Sequence, residues 1–282
     1  MSDIKEFPFV LSHSVISTPT PNVLLVILNR PKAFNCLTRD AQYELERVFV
    51  WFDKEPALRC AVITGAGTAF STGGDLREWN SLNQSQEGTF DLIPRRGFSG
   101  LTRRFGKKPI IAAVNGAALG GGFELLWGTD IIISSRQAHF GLPEVKRGVV
   151  AVAGCLPRLV KSIGRQRAME LTLLGRPITA ECAHNWGIVN ELVDDELNDG
   201  DILRRPVVLK ALQYAKEISQ NSPESVVASR AGVLLGLETG TETASWLLKD
   251  FFDQGIDTNE NLHEGILAFT EKRIPSWKPS KL

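Results

Sequence analysis

The sequence predicts an α/β fold, with a core of strand and helix units over residues 1–200 and a helical C-terminal region over 201–282. Three observations carry that expectation. Short apolar runs closed by turn residues alternate with segments whose apolar residues recur at helical spacing. Two glycine-rich stretches follow such runs. Beyond Val193 the chain becomes charged, with helical periodicity only.

The first predicted strand is Val23-Leu24-Leu25-Val26-Ile27-Leu28, closed by Asn29-Arg30-Pro31. Residues 38–52 come next, with Leu37, Ala41, Leu45, Val48 and Phe52 on one helical face and Thr38 as N-cap. Cys60-Ala61-Val62-Ile63-Thr64 is a second strand, stopped by Gly65. Strand, helix, strand is the unit of a sheet joined by crossovers. Residues 110–114 and 130–134, separated by a glycine-rich turn and the helical stretch 122–127, repeat it. Segment 81–97, rich in Gln, Ser and Gly, reads as a mobile surface loop. Three helices are expected near the end, over 205–219, 223–237 and 242–252.

A chain of 282 residues that is 43% hydrophobic can bury a substantial core, so disorder is a poor description. Lys+Arg and Asp+Glu both total 32, which gives no global electrostatic case for nucleic acid or an anionic membrane as partner. Cys36, Cys60, Cys155 and Cys182 form no CxxC pair and the four histidines lack metal-ligand spacing, so no metal site is expected. No basic-then-apolar leader opens the sequence, and no run of 18 apolar residues follows. Ser280-Lys281-Leu282 is the tripeptide that a peroxisomal import receptor reads at a free C-terminus. The peroxisomal matrix is therefore the expected location, and that receptor an expected partner.

Two stretches point to anion-stabilising backbone. In Phe70-Ser71-Thr72-Gly73-Gly74-Asp75-Leu76 adjacent glycines leave N–H groups open to a ligand. In Leu119-Gly120-Gly121-Gly122-Phe123-Glu124-Leu125 the glycines lead into a helical stretch, whose dipole also favours negative charge. Either alone could be a tight turn. Neither matches GxxxxGK[ST] or GxGxxG, so phosphoryl and hydride transfer lose ground. A thioester carbonyl that becomes an enolate needs two donors on one oxygen, which two separate turns can supply. Glu124 and Glu144, the latter in Phe140-Gly141-Leu142-Pro143-Glu144-Val145, both lie in apolar surroundings. The plainer alternatives are a helix cap for Glu124 and an ion pair with Lys146 or Arg147 for Glu144.

Taken together these stretches resemble the crotonase, or enoyl-CoA hydratase/isomerase, family from about Val23 to the C-terminus. Besides the two glycine turns, the resemblance rests on Leu28-Asn29-Arg30-Pro31-Lys32-Ala33-Phe34-Asn35, Ile63-Thr64-Gly65-Ala66-Gly67, Ala113-Val114-Asn115-Gly116, Phe140 to Glu144 and Leu174-Gly175-Arg176, in the family's order. It implies a ββα spiral core with C-terminal helices that join subunits into a homotrimer or a dimer of trimers. It also implies an oxyanion hole from the amides of Gly74 and Gly121. By the same resemblance Glu124 activates water for attack at C3 of an enoyl-CoA, and Glu144 delivers the proton at C2. Sharing one apolar site, the two carboxyls should not both ionise easily.

The resemblance places coenzyme A, as part of the substrate and with no separate cofactor, on Lys32 and Ala33 and on Gly74, Asp75, Leu76 and Arg77. Lys272 of a neighbouring subunit would add a positive charge. The acyl wall is expected from Trp79, Trp127, Val149 and Val152. Two departures stand out. Where many hydratases carry Pro-Gly-x-Gly-Gly, this chain reads Val150-Ala151-Val152-Ala153-Gly154-Cys155, and Leu142 replaces a polar residue. The expected reaction is hydration of a 2-enoyl-CoA or the reverse dehydration, either in fatty-acid β-oxidation or on a branched acyl group such as mevalonyl-CoA in a fungal pathway. The alternatives are a double-bond isomerase of the same fold and an inactive CoA-binding or scaffold relative.

Overall fold

The computed structural model describes residues 7–84, 93–195, 200–255 and 260–280. Two sheets organise it. The larger has six strands in the order β1 (Ser14–Thr20), β2 (Val23–Leu28), β3 (Cys60–Gly65), β5 (Ile110–Val114), β7 (Ile131–Ser135) and β10 (Glu191–Val193). Only β1 is antiparallel to its neighbour. The smaller runs β4 (Ala69–Ser71), β6 (Ala117–Leu119), β8 (His139–Gly141) and β9 (Ile178–Thr179), the last antiparallel. Each turn of the chain thus gives a long strand to one sheet and a short strand to the other: β3 then β4, β5 then β6, β7 then β8. This is the expected ββα spiral.

The continuous apolar character of β2 has a physical reason. Leu24, Val26 and Leu28 enter the main core, whereas Val23, Leu25 and Ile27 face a second core, so the strand is buried on both sides. Helix α1 (Arg39–Lys54) covers the first side with Ala41, Leu45, Val48, Phe49 and Phe52, and Thr38 caps it by accepting from Ala41 N at 3.3 Å. Helix α7 (Pro206–Ser219) covers the second side through Val207, Val208, Ala211, Leu212 and Ala215. A helix from the expected C-terminal region therefore completes the packing of the sheet.

Strands β2, β3, β5 and β7 and the three late helices fall within three residues of expectation, with α8 (Pro223–Glu238) and α9 (Thr241–Gly255) after α7, whereas the edge strands β1 and β10 of the large sheet were not expected. The short strands of the second sheet were not anticipated. Three residues or fewer leave too little pattern for a period of two to register. Of the loop expected over 81–97, residues 81–84 end helix α2 (Leu76–Gln84) and residues 85–92 lie outside the described residues. Helices α3 (Gly121–Leu126), α4 (Cys155–Ile163), α5 (Arg165–Leu174), α6 (Ala180–Asn185) and α10 (Glu260–Thr270) complete the described chain. Among the described residues no helix is long and apolar enough to cross a membrane.

Candidate active site

Pairing in the small sheet decides what meets what. Strands β4, β6 and β8 lie side by side in parallel, so the three turns that leave their C-terminal ends are neighbours. Those turns carry Gly73 and Gly74, then Gly120 and Gly121, then Pro143 and Glu144. Gly120 N donates to Gly141 O at 2.9 Å, which ties the second turn to the third. Helix α3 (Gly121–Leu126) starts at once and brings Glu124 onto its first turn. Phe123 locks that helix down, with Phe140 and Trp127 edge-on at 6.0 and 5.8 Å.

The glycines are required here. Gly73 has φ of +90°, and a Cβ on it would sit 2.6 Å from Gly121 N. Any side chain at 73 would close the approach to that amide. Gly120 has φ of +56°, and its Cβ would lie 3.2 Å from Glu144 Oε1. Among the described residues neither Gly74 N–H nor Gly121 N–H donates to a protein acceptor, although Leu37 N bonds Gly73 O at 2.8 Å and Asp75 N bonds Leu37 O at 3.1 Å on either side of Gly74. Two free donors on touching turns are what an oxyanion requires.

Glu124 is 5% exposed and accepts from Ala153 N at 3.1 Å through Oε1. Burial, then the nearby Glu144 charge, push its pKa up to about 7, against the opposing bonds from the thiol of Cys155 and the backbone at 153 and 155. Glu144 is half-buried on the 3-10 turn Pro143–Arg147, and burial raises its pKa as well. Its Oε2 is inaccessible and has no partner in the protein. Among the described residues Glu144 forms no ion pair with Lys146 or Arg147, so the plainer alternative for it is not what the structure has. Both shifts favour the protonated form, so the two carboxyls do not easily ionise together.

A cavity of about 90 Å³ opens on Gly74, Gly121, Glu124 and Glu144. Trp79, Val149 and Val152, expected in the acyl wall, line it, and so does Leu76, which was expected against CoA. Trp127 does not; it closes α3 and packs on Phe123, a correction that follows from its place one turn beyond Glu124 on the side facing the core. Phe98, Arg147 and Val150 also line the cavity and were not anticipated. Phe98 lies just beyond the segment 81–97 that reads as surface loop, and nothing in its spacing marks it.

The expected CoA positions separate. Lys32 and Ala33 form the short 3-10 turn Pro31–Ala33, with Lys32 exposed. The Asp75 carboxylate is engaged internally, by Arg30 at 3.1 Å and by the N–H of Arg77 at 3.2 Å, so its side chain holds the loop and α2 rather than facing a ligand. Arg77 is exposed and outside the cavity lining. Lys272 is exposed just beyond α10, in the left-handed region with φ of 56°. Of the terminal tripeptide, Lys281 and Leu282 lie outside the described residues. Among the described residues no group of His, Cys, Asp and Glu is arranged to hold a metal ion.

Residues 19–280 match the model of the Enoyl-CoA hydratase/isomerase family. The chain is 48% identical to a mevalonyl-coenzyme A hydratase of Beauveria bassiana, over 98% of both chains. It is 46% identical to the protein of the same description in Aspergillus fumigatus, over 95% of this chain and 96% of that one. Among solved structures, the enoyl-CoA hydratase from Mycobacterium tuberculosis superposes with a TM-score of 0.83 at 32% identity, covering 94% and 98% of the two chains.

Proposed function

We propose, for a chain that belongs to the enoyl-CoA hydratase/isomerase family, a reaction carried by one shared proton on Glu124 and Glu144 beside two free glycine amides. The enzyme is a hydratase/dehydratase that interconverts a 2-enoyl-CoA and a 3-hydroxyacyl-CoA. The similarity to two mevalonyl-coenzyme A hydratases supports a branched acyl group of that kind as substrate. A small, largely apolar cavity suits it.

In hydration, Glu124 takes a proton from water as the oxygen attacks C3. The electron pair of the C2–C3 double bond moves into the thioester, and the enolate oxygen rests on the N–H groups of Gly74 and Gly121. Each such donor contributes about 3 kcal/mol to the transition state. Glu144 then gives its proton to C2 as the enolate collapses. Water has been added, and the proton has passed from Glu144 to Glu124. Dehydration starts from that second arrangement, with Glu124 protonating the leaving hydroxyl.

Coenzyme A enters as part of the substrate, along Lys32, Ala33, Leu76 and Arg77. Lys272 of a neighbouring subunit adds charge in a homotrimer or a dimer of trimers. Exposed apolar side chains on the late helices, Val233, Trp246, Leu247 and Ile266 among them, support such assembly. Light scattering tests it, and a monomer would contradict it. Ser280-Lys281-Leu282 supports delivery to the peroxisomal matrix by the import receptor, tested by whether a Leu282 deletion leaves the protein in the cytosol. For the reaction, acyl-CoA substrates are offered in both directions and read by mass spectrometry. Gain or loss of one water is the expected result; rearrangement without mass change would make the enzyme an isomerase.

A further inference from the structure

Each glycine of the oxyanion site has an aromatic ring behind it. A Cβ on Gly74 would meet the Trp79 indole at 3.4 Å, and one on Gly121 would meet the tip of the Phe98 ring at 2.6 to 2.9 Å. Both rings line the cavity, but they are held differently. Trp79 is half-buried on the first turn of α2, whereas Phe98 is 3% exposed and sits in a strained turn. Gly97, Ser99 and Gly100 around it have φ of +82°, +57° and +69°, and Ser99 is buried with a hydroxyl that has no partner among the described residues. Left-handed backbone at a serine and an unpaired buried hydroxyl both cost stability, and such strain persists only where the surroundings enforce it. Here they do. Phe98 N donates to Thr102 Oγ1 at 2.8 Å, and that hydroxyl donates to Ala153 O at 2.6 Å, on the loop whose Ala153 N–H holds Glu124. On the other side the turn packs on α1, where a Cβ on Gly100 would lie 2.6 Å from Glu46 Cα.

We propose that Phe98 is a specificity-determining residue, a fixed wall that confines the enzyme to short acyl groups, branched ones included, and turns away linear chains of about eight carbons. This rests on the acyl-CoA reading of the site. With the thioester oxygen on Gly121 N–H, the acyl carbons begin beside the Cα that the ring tip touches. A longer chain must then pass the ring or push it aside. Passing is opposed by Val149 and Val152, which line the same small cavity of about 90 Å³. Pushing is opposed by the bonds of Thr102 and by α1 behind the turn. In an open apolar channel each further methylene adds to affinity. Against a wall that cannot relax, each one counts against it. A methyl branch widens the acyl group without lengthening it.

Saturated acyl-CoAs, which cannot react, read the wall without turnover. Binding of butanoyl-CoA, 3-methylbutanoyl-CoA and octanoyl-CoA is measured by calorimetry on the full-length parent, Phe98→Leu and Phe98→Ala. The parent should bind both short thioesters at least about tenfold tighter than octanoyl-CoA. Each variant should shift that ratio toward octanoyl-CoA by about tenfold or more, Phe98→Ala further than Phe98→Leu. Phe98→Leu keeps an apolar side chain of moderate size and carries the comparison if Phe98→Ala does not fold. A parent that binds octanoyl-CoA as tightly as butanoyl-CoA overturns the inference. So do variants in which all three ligands weaken by one common factor, since a ring that only packs the fold would act in that way. A parent that shows the selectivity, yet neither adds water to an enoyl-CoA nor removes it from a hydroxyacyl-CoA, would overturn the hydratase reading and leave this one standing.

Discussion

The glycine turns and the loop over 149–155 flank the same carboxylates, yet they work in opposite ways. The turns present the Gly74 and Gly121 N–H groups, which have no protein acceptor among the described residues, and the lack of a side chain at Gly73 keeps the approach to the second open. The loop has its donor already engaged, on Glu124, and is braced by Thr102 and Arg103. One side of the site is prepared for charge that appears only during reaction; the other holds charge that is always there. Damage to the turns should therefore act through chemistry, and damage to the loop through position.

The largest expected effect lies on the turn side. Gly73→Ala forces a side chain into a left-handed conformation and places it 2.6 Å from Gly121 N, so kcat/KM should fall about 10²–10³-fold. Steady-state kinetics with a 2-enoyl-CoA measures it, beside CoA binding by calorimetry. A loss confined to binding would break the distinction between the two sides.

Thr102→Val comes next. Its hydroxyl accepts from Phe98 N at 2.8 Å and donates to Ala153 O at 2.6 Å, joining the cavity wall to the loop that holds Glu124. Loss of both bonds should destabilise the fold by about 1–3 kcal/mol in urea and lower kcat about tenfold. A stable variant with unchanged kcat would show that the loop needs no brace.

These two residues also mark what was legible in the sequence. Gly73 was, because adjacent glycines after a strand have few physical explanations other than an open turn. The glutamates were, because carboxylates in apolar runs are costly. Thr102 and Phe98 were not: one bonds across 51 positions to Ala153 O, and the other lies just beyond a segment that reads as surface loop. The same limit explains Asp75 and Trp127, whose motif positions were plain and whose partners, Arg30 and Phe123, were not. The buried central strands were legible through their continuous apolar runs, whereas the longer but half-exposed edge strand β1 was not, and the three-residue strands that align the site needed the tertiary pairing itself.

A smaller effect sharpens the comparison through pH. Because the pair acts while holding one proton, kcat/KM should be bell-shaped, with its upper limb near the value of about 7 for Glu124. In stability the sign runs against the usual carboxylate. A pKa raised in the folded state favours folding below the ordinary 4.5, and that contribution is lost as pH rises through about 7. Glu124→Gln should therefore be inactive yet more stable than the parent at pH 8, by at most about 3 kcal/mol, with no gain at pH 4. Urea melts at both pH values measure it; equal differences at the two would mean that Glu124 is not strained by burial.

The most direct test of the shared-proton account is Glu144→Gln offered a branched 2-enoyl-CoA in ¹⁸O-labelled water, with the parent beside it. The parent should gain one labelled water, and the variant, binding CoA normally, should incorporate less than a thousandth as much. Near-parental incorporation by Glu144→Gln would contradict it.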